Sequence, residues 1–281
     1  MLISVLEILN KTEEFFKSKN VPNPRLDAQL LLCDVLKCKR LDLFLKFDKA
    51  MLENEISLYR EYVKRRAKRE PLQHIIGEVD FFGLKLKSTK DALIPRSETE
   101  YLCEVICEEY FKDDTLNLNI LDLGTGTGAI ALSMASHFKN GKVVAVDLSE
   151  KALSLAKENA EKNSISNVEF VQSSWYENVE GKFDLIISNP PYLTQDEYET
   201  AQDEVKVYEP LNALVADNKG FSDVELIIKE ASKYINKGGY LFLETGIDHS
   251  PSIKKLTAQL NLNYESFSDL NGYTRFAAIK F

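Results

Sequence analysis

Between Ile3 and Arg69 apolar residues recur at helical spacing, as in Leu26, Leu30, Leu31 and Val35 and again in Leu52, Ile56, Tyr59 and Val63. This periodicity predicts a small helical domain. Pro22-Asn23-Pro24 interrupts it, and a new helix is expected to open at Asp27. Glu70-Pro71 ends the last helix, and residues 78–88 predict a short hairpin around Phe81-Phe82-Gly83, ahead of Leu93-Ile94-Pro95-Arg96. The organisation expected is a helical domain over 1–70, a hairpin and linker over 71–97, and a larger domain over 98–281.

Beyond Ser97 apolar runs alternate with amphipathic stretches, the mark of an α/β fold with a mostly parallel, doubly wound sheet and helices on both faces. Strands are expected over 118–123, 142–147, 168–171, 183–188 and 240–244, and helices over 98–111, 128–138, 150–163 and 223–236. Residues 263–268 and 273–281 flank the turn-prone Asn271-Gly272, which predicts a closing antiparallel hairpin.

Two strand ends in this pattern carry candidate chemistry. Ile120-Leu121-Asp122-Leu123 runs into Gly124-Thr125-Gly126-Thr127-Gly128 and then into an apolar helix start. Glycines there permit a tight strand-to-helix turn and a ligand's close approach, beside the free amides of a helix N-terminus. Such a loop is either a plain tight connection or a ligand cradle. Asp147 favours the cradle, because it closes the next strand where a carboxylate can accept hydrogen bonds from ribose hydroxyls. The Gly-x-Gly-x-Gly spacing differs from the dinucleotide fingerprint, so the expected ligand contains adenosine but is not NAD. The second strand end is Asn189-Pro190-Pro191-Tyr192, after Phe183-Asp184-Leu185-Ile186-Ile187-Ser188. Two prolines stop a strand rigidly, leaving either an ordinary Asn-Pro turn or a grip on a planar polar group.

Composition narrows the partners. The 281 residues carry a net charge of −9 and a pI near 5.1, which opposes sequence-independent nucleic-acid binding. The basic cluster Arg60, Lys64, Arg65, Arg66, Lys68 and Arg69 is local, either a solvated face or a docking patch. Cys33, Cys38, Cys103 and Cys107 have no paired metal spacing, so no metal site is expected and the thiols point to a reducing, cytoplasmic setting. Cys103 and Cys107 fit a small apolar helix face. The opening Met1-Leu2-Ile3-Ser4 has no basic region and no apolar run approaches membrane-spanning length, so neither secretion nor insertion is expected.

The glycine loop, the strand ending at Asp147, Ser173-Ser174-Trp175 and the closing hairpin together resemble class I S-adenosylmethionine-dependent methyltransferases. That resemblance implies a Rossmann-like sheet with Gly124, Thr125, Gly126, Thr127, Gly128, Asp147, Trp175 and Asn189 binding S-adenosyl-L-methionine, Trp175 on the adenine side. Asn189-Pro190-Pro191-Tyr192 is similar to the motif of methyltransferases acting on planar nitrogen. Asn189, Pro190 and Tyr192 are then the expected catalytic residues, with Pro191 completing the substrate grip. DNA adenine-N6 methyltransferases share a closely similar tetrapeptide, which makes them the alternative. They need a basic groove and a target-recognition insert, and neither is visible. A cofactor-binding protein without chemistry is a further alternative.

Several other blocks choose between these. Pro24-Arg25-Leu26-Asp27-Ala28, residues 71–77, Phe81-Phe82-Gly83, residues 93–100, residues 209–214 and residues 269–275 resemble, in order, the release factor glutamine methyltransferases. Ser97 stands where that family usually has Pro, and Ser174 where an acidic residue is common. The resemblance implies a cytoplasmic, monomeric enzyme that methylates the Gly-Gly-Gln glutamine of class I peptide chain release factors, with the helical domain docking the substrate. Pro95 and Arg96 are expected near the cofactor, and Glu209-Pro210 in a loop closing the glutamine pocket. Glu98 and Glu100 are explained equally by N-terminal helix charge, and Arg275 by an acidic neighbour.

Overall fold

The structure, a computed structural model, describes residues 3–281. Met1 and Leu2, on which the reading of the chain's start partly rests, lie outside the described residues. Two compact units are present: residues up to Gly77 together with Asp203–Tyr208, and Glu78–Gln202 together with Glu209–Phe281. The hairpin expected as a linker therefore belongs to the second unit. There Phe81 and Leu86 are buried in the same core as Ile120 and Leu185 of the sheet.

In the first unit, α1 (Val5–Ser18), α2 (Pro24–Leu36), α3 (Arg40–Leu45), α4 (Glu53–Arg66) and α5 (Leu72–Ile76) enclose a core that includes Leu9, Phe16, Leu31, Leu32 and Tyr59. Ser4 caps α1, its Oγ accepting from the Glu7 amide at 3.2 Å. α2 opens at Pro24 rather than Asp27, because proline's fixed φ suits the first helical turn. Asp27 serves elsewhere. Its carboxylate accepts from Arg66 Nε at 2.7 Å, with both side chains almost fully buried. Arg66 Nη2 also reaches Glu204 at 2.8 Å, and Arg69 holds the same carboxylate through Nε and Nη2. Arg65 is taken up by Glu70 and by the His74 carbonyl. The docking surface imagined for the basic helix thus loses Arg65, Arg66 and Arg69 to internal contacts. Arg60, Lys64 and Lys68 remain exposed.

The second unit begins with the hairpin β1 (Glu78–Phe81) and β2 (Leu84–Lys87), then α6 (Ser97–Val105), which runs into a wider π-helical turn, Ile106–Tyr110. Alternation follows as β3 (Asn119–Leu123), α7 (Ala129–His137), β4 (Lys142–Asp147), α8 (Glu150–Lys162), β5 (Val168–Gln172) and β6 (Phe183–Ser188). After the short helix α9 (Gln195–Thr200) and then α10 (Asp203–Tyr208), which belongs to the first unit, come the turn α11 (Asp217–Gly220) and α12 (Ser222–Ala231). The chain ends with β7 (Ile235–Glu244), α13 (Ser250–Gln259), β8 (Asn263–Ser268) and β9 (Thr274–Lys280). The segments α9, α10 and α13 were not anticipated; α9 and α10 bury no residue, so they leave no apolar stripe to read.

The seven strands run in the order β5-β4-β3-β6-β7-β9-β8, parallel except for the pairs that β9 makes with β7 and β8. Side-chain alternation builds a core on each face. Ile120, Leu185, Ile187 and Phe242 enter one, with α6, α7 and the hairpin; Leu121, Leu123, Ile186 and Leu243 enter the other, with α12 and α13. Cys103 and Cys107 are free thiols in the first of these cores.

Replacing Arg66 by Ala strands the buried Asp27 carboxylate, and breaking a buried pair in this way costs about 3–5 kcal/mol. Urea unfolding is expected to show that loss. An arginine on a solvated docking face would change stability by less than about 0.5 kcal/mol.

Candidate active site

β3 and β6 pair in parallel with Leu123 opposite Ser188, and Ser188 Oγ donates to the Leu123 carbonyl at 2.7 Å in the buried interior. The glycine loop and Asn189-Pro190-Pro191-Tyr192 therefore leave the sheet side by side at its carboxyl edge. The strand order reverses between β3 and β6, and open α/β sheets bind ligands at such a point. A cavity of 540 Å³ occupies this edge, within the range of small-molecule sites.

Of the residues expected for the cofactor, Gly124, Thr125, Gly126, Thr127, Asp147, Trp175 and Asn189 line the cavity. Gly128 does not; it stands one position back with φ +85° as the residue from which α7 starts. Pro191 also lines it, whereas Pro190 and Tyr192 are not among the lining residues. Pro95 and Arg96 line it as expected, while Glu98 and Glu100 do not. Glu100 instead accepts from the Phe82 amide at 2.6 Å, tying the hairpin to α6.

Asp147 is oriented from both sides: Oδ2 accepts from the Gly126 amide at 2.9 Å and Oδ1 from the Ser149 amide at 2.8 Å. Burial pushes its carboxyl up, and these amide bonds hold it down. Trp175 sits at φ +48°, an uncommon conformation for a bulky residue, in a turn where Ser173 Oγ donates to its carbonyl at 2.9 Å. Its indole Nε1 donates to Asp223 at 3.2 Å, and its ring lies against Gly124, where an added Cβ would come within 3.5 Å. Ser174 also lines the cavity.

Beneath the loop, Asp122 is fully buried, and its Oδ2 accepts from Thr125 Oγ1 at 2.6 Å and the Ala131 amide at 3.1 Å. Its Oδ1 has no partner among the described residues. Burial pushes this carboxyl up to about 7, against the two hydrogen bonds.

After β6, Asn189 Nδ2 donates to Thr99 Oγ1 at 3.0 Å, and Thr99 Oγ1 donates to Glu244 Oε2 at 2.6 Å. Tyr192 donates to Glu244 Oε1 at 3.2 Å. Burial pushes Glu244 up; its two hydroxyl bonds and the Arg275 charge hold it down, and Glu98 opposes them. Burial, then the Glu244 charge, pushes the Tyr192 phenol above its ordinary range, so it stays a neutral donor. The backbone of Tyr192 passes so close to Gly220 that an added Cβ would meet its carbonyl oxygen at 2.1 Å, which requires glycine there.

A wall of the cavity comes from the loop after α10. Pro210, Asn212 and Ala213 line it, and the buried Glu209 accepts twice from Arg96 Nη2, at 2.6 and 2.8 Å. Arg275 pairs with Asp269 at 3.0 Å. Thr99, Asp122, Gly220, Asp223 and Glu244 went unread in the sequence. Each is defined by partners between 3 and 145 positions away or by a passing backbone, and Asp122 alone, inside the Leu121-Asp122-Leu123 run, offered a signal as a charge in an otherwise apolar strand. No group of three or more His, Cys, Asp or Glu side chains among the described residues could hold a metal ion.

A parallel sheet with its last strands antiparallel, a glycine loop at the reversal and a carboxylate ending the next strand define a methyltransferase of the class I architecture. Two family models match: the PrmC N-terminal domain over residues 7–77 and a methyltransferase domain over residues 114–274. The chain belongs to the release factor glutamine methyltransferase family. It is 40% identical to the protein of that name from Fusobacterium nucleatum subsp. nucleatum, over 91% of this chain and 73% of the relative. The corresponding protein of Francisella tularensis subsp. tularensis is 42% identical over 89% and 88%. Among solved structures, a methyltransferase from Pyrococcus furiosus aligns with TM-score 0.54 at 24% identity, over 82% of this chain and 98% of that one. The T. thermophilus 16S rRNA N2 G1207 methyltransferase, solved with AdoMet and guanosine, aligns with TM-score 0.52 at 16% identity, over 72% and 48%. These two likenesses establish the fold.

Two expectations follow for the loop. Asp147→Asn keeps the shape but removes a charged acceptor, and such a bond contributes about 1.5–3 kcal/mol, so S-adenosylmethionine affinity should fall roughly ten- to a hundredfold by calorimetry. Asp122 behaves differently. A folded-state carboxyl raised to about 7 keeps its proton where the unfolded chain, near 3.8, has lost it. Its contribution to stability therefore declines as pH rises from about 4 to about 7. Asp122→Asn preserves both accepted bonds without ionising, and a denaturation series over that range should show the decline removed.

Proposed function

We propose that this protein uses S-adenosyl-L-methionine to methylate the side-chain amide nitrogen of the Gly-Gly-Gln glutamine in class I peptide chain release factors. The observation that carries the reading is the placement of Asn189 and the glycine loop around one cavity at the β3–β6 reversal. The acceptor is carried by family membership over nearly the whole chain.

The cavity's residues suit the cofactor. Asp147 offers a carboxylate for ribose hydroxyls, the Trp175 ring beside Gly124 offers a flat apolar face, and the Asp147 charge suits a cationic ligand. S-adenosylmethionine supplies an electrophilic methyl group on a sulfonium.

This chain's part is mostly orientation, since an amide nitrogen has a delocalised lone pair and is a poor nucleophile. Asn189 Oδ1 and the Pro190 carbonyl, which accepts no hydrogen bond from the described residues, are assigned to accept the two N–H bonds of the glutamine amide. Acceptors placed there aim the remaining lone pair and stabilise positive charge as it develops on nitrogen. Tyr192 is assigned to cover the planar amide and exclude water, and no base is needed before transfer, because the proton is lost afterward. The segment Glu209–Ala213, anchored by Arg96, closes the pocket.

The helical unit is assigned to docking, with its exposed Arg60, Lys64 and Lys68 as the available charge. A monomer acting in the cytoplasm, without sequence-specific nucleic-acid binding, completes the reading. No helix among the described residues is long and apolar enough to cross a membrane.

Purified release factor incubated with this protein and S-adenosylmethionine should gain one methyl group on the loop glutamine by mass spectrometry. Equal transfer to duplex DNA would overturn the assignment. Asn189→Ala should lower transfer by about a hundredfold or more, with cofactor affinity nearly intact.

A further inference from the structure

Asn189 can serve as an acceptor only if its oxygen, not its NH2 group, faces the substrate. The two ends of an amide have the same size and shape, so packing alone does not choose between them. A hydrogen-bonded chain behind the residue does. Glu244 ends β7, is 1% exposed, and has no salt-bridge partner among the described residues. It receives two hydroxyl donors instead: Thr99, from the first turn of α6, on Oε2 at 2.6 Å, and Tyr192 on Oε1 at 3.2 Å. Burial raises this carboxyl, while the two donors and the Arg275 charge favour its ionised form, in which both oxygens accept as the two contacts require.

An ionised carboxylate only accepts, so the single hydroxyl proton of Thr99 is committed to it. The Thr99 oxygen is left as an acceptor facing Asn189, and Asn189 must turn its NH2 group inward, as the 3.0 Å contact shows. Its Oδ1 is thereby left for the site. The reverse orientation would set two acceptor oxygens against each other in a buried place.

We propose that Glu244 and Thr99 are positioning residues that fix the polarity of the Asn189 side chain, and that the same carboxylate seats the Tyr192 ring. Neither is required to touch the glutamine. This assignment rests on the release-factor reading for its catalytic consequence, but the orientation of Asn189 is a property of the protein itself. Three strand and helix ends carry the chain, at 99, 189 and 244, so the device is a product of the fold.

Three variants separate polarity from packing. Thr99→Val is close in shape but cannot pass a hydrogen bond. Glu244→Gln can donate to Thr99 and so permits the reversed chain. Thr99→Ser restores the hydroxyl. In the full-length protein with S-adenosylmethionine, kcat for release factor should fall by about tenfold or more in Thr99→Val and Glu244→Gln. Cofactor affinity should stay within about threefold, and Thr99→Ser should recover most of the rate. In parallel, the Asn189 side-chain NH2 resonances, identified by their disappearance in Asn189→Asp, should exchange faster with solvent in Thr99→Val than in the parent protein. The NMR arm needs no substrate, so its failure is distinct from failure of parent enzyme to methylate release factor. The proposal is overturned if Thr99→Val leaves the NH2 exchange unchanged, or if Glu244→Gln keeps kcat within about twofold. Loss of kcat with an equal loss of cofactor affinity and no recovery in Thr99→Ser would also overturn it, as that pattern marks packing alone.

Discussion

Everything in the catalytic unit depends on the parallel pairing of β3 with β6. These strands are separated in sequence by two strand-helix units, yet Leu123 and Ser188 lie opposite each other, locked by the Ser188 hydroxyl on the Leu123 carbonyl. Both strands end at the same height, so a loop built for close approach and a proline-stiffened loop emerge together. A slip of one residue would turn every side chain of β6 to the other face of the sheet. The two apolar cores, which take alternate residues of β6, make such a slip costly. The register that buries Leu185, Ile186 and Ile187 is thus the register that places Asn189.

Around this junction the protein holds its carboxylates by hydrogen bonds more than by ion pairs. Asp122, Asp147 and Glu244 each accept at least two hydrogen bonds from hydroxyl or amide groups, and burial raises all three. Hydrogen bonds orient a carboxylate without cancelling its charge, which at Asp147, in the cavity wall, suits a cationic ligand. Glu209 is the exception. Its ion pair with Arg96 fastens a wall of the cavity, a structural task for which a neutralised pair is sufficient.

The helical unit uses the opposite economy. Asp27, Arg66, Glu204 and Arg69 form a chain of paired charges, with Arg66 and Asp27 nearly inaccessible. Such a cluster is sensitive to removal of one member and adds little over apolar packing when complete, so its value lies in specifying where α10 attaches. Basic residues that read as one surface therefore divide into exposed Arg60, Lys64 and Lys68 and the internally bound Arg65, Arg66 and Arg69.

Local information was enough for what depends on spacing. The strands at 142–147 and 183–188 were legible to the residue, because short, mostly apolar runs bounded by turn residues have few other meanings. The glycine loop, Asp147, Trp175 and Asn189 were picked out by short motifs and resemblance, and all but Gly128 line one cavity. What could not be read was the partner of any side chain. Asp27 looked like the start of a helix until Arg66 was found beside it, and Arg66 looked solvated for the same reason. Thr99 and Glu244 carry no motif of their own, since a threonine in a helix and a glutamate after a strand are ordinary. Only the tertiary structure brings them together behind Asn189, because the polarity of an amide is set by neighbours across space and not by neighbours along the chain.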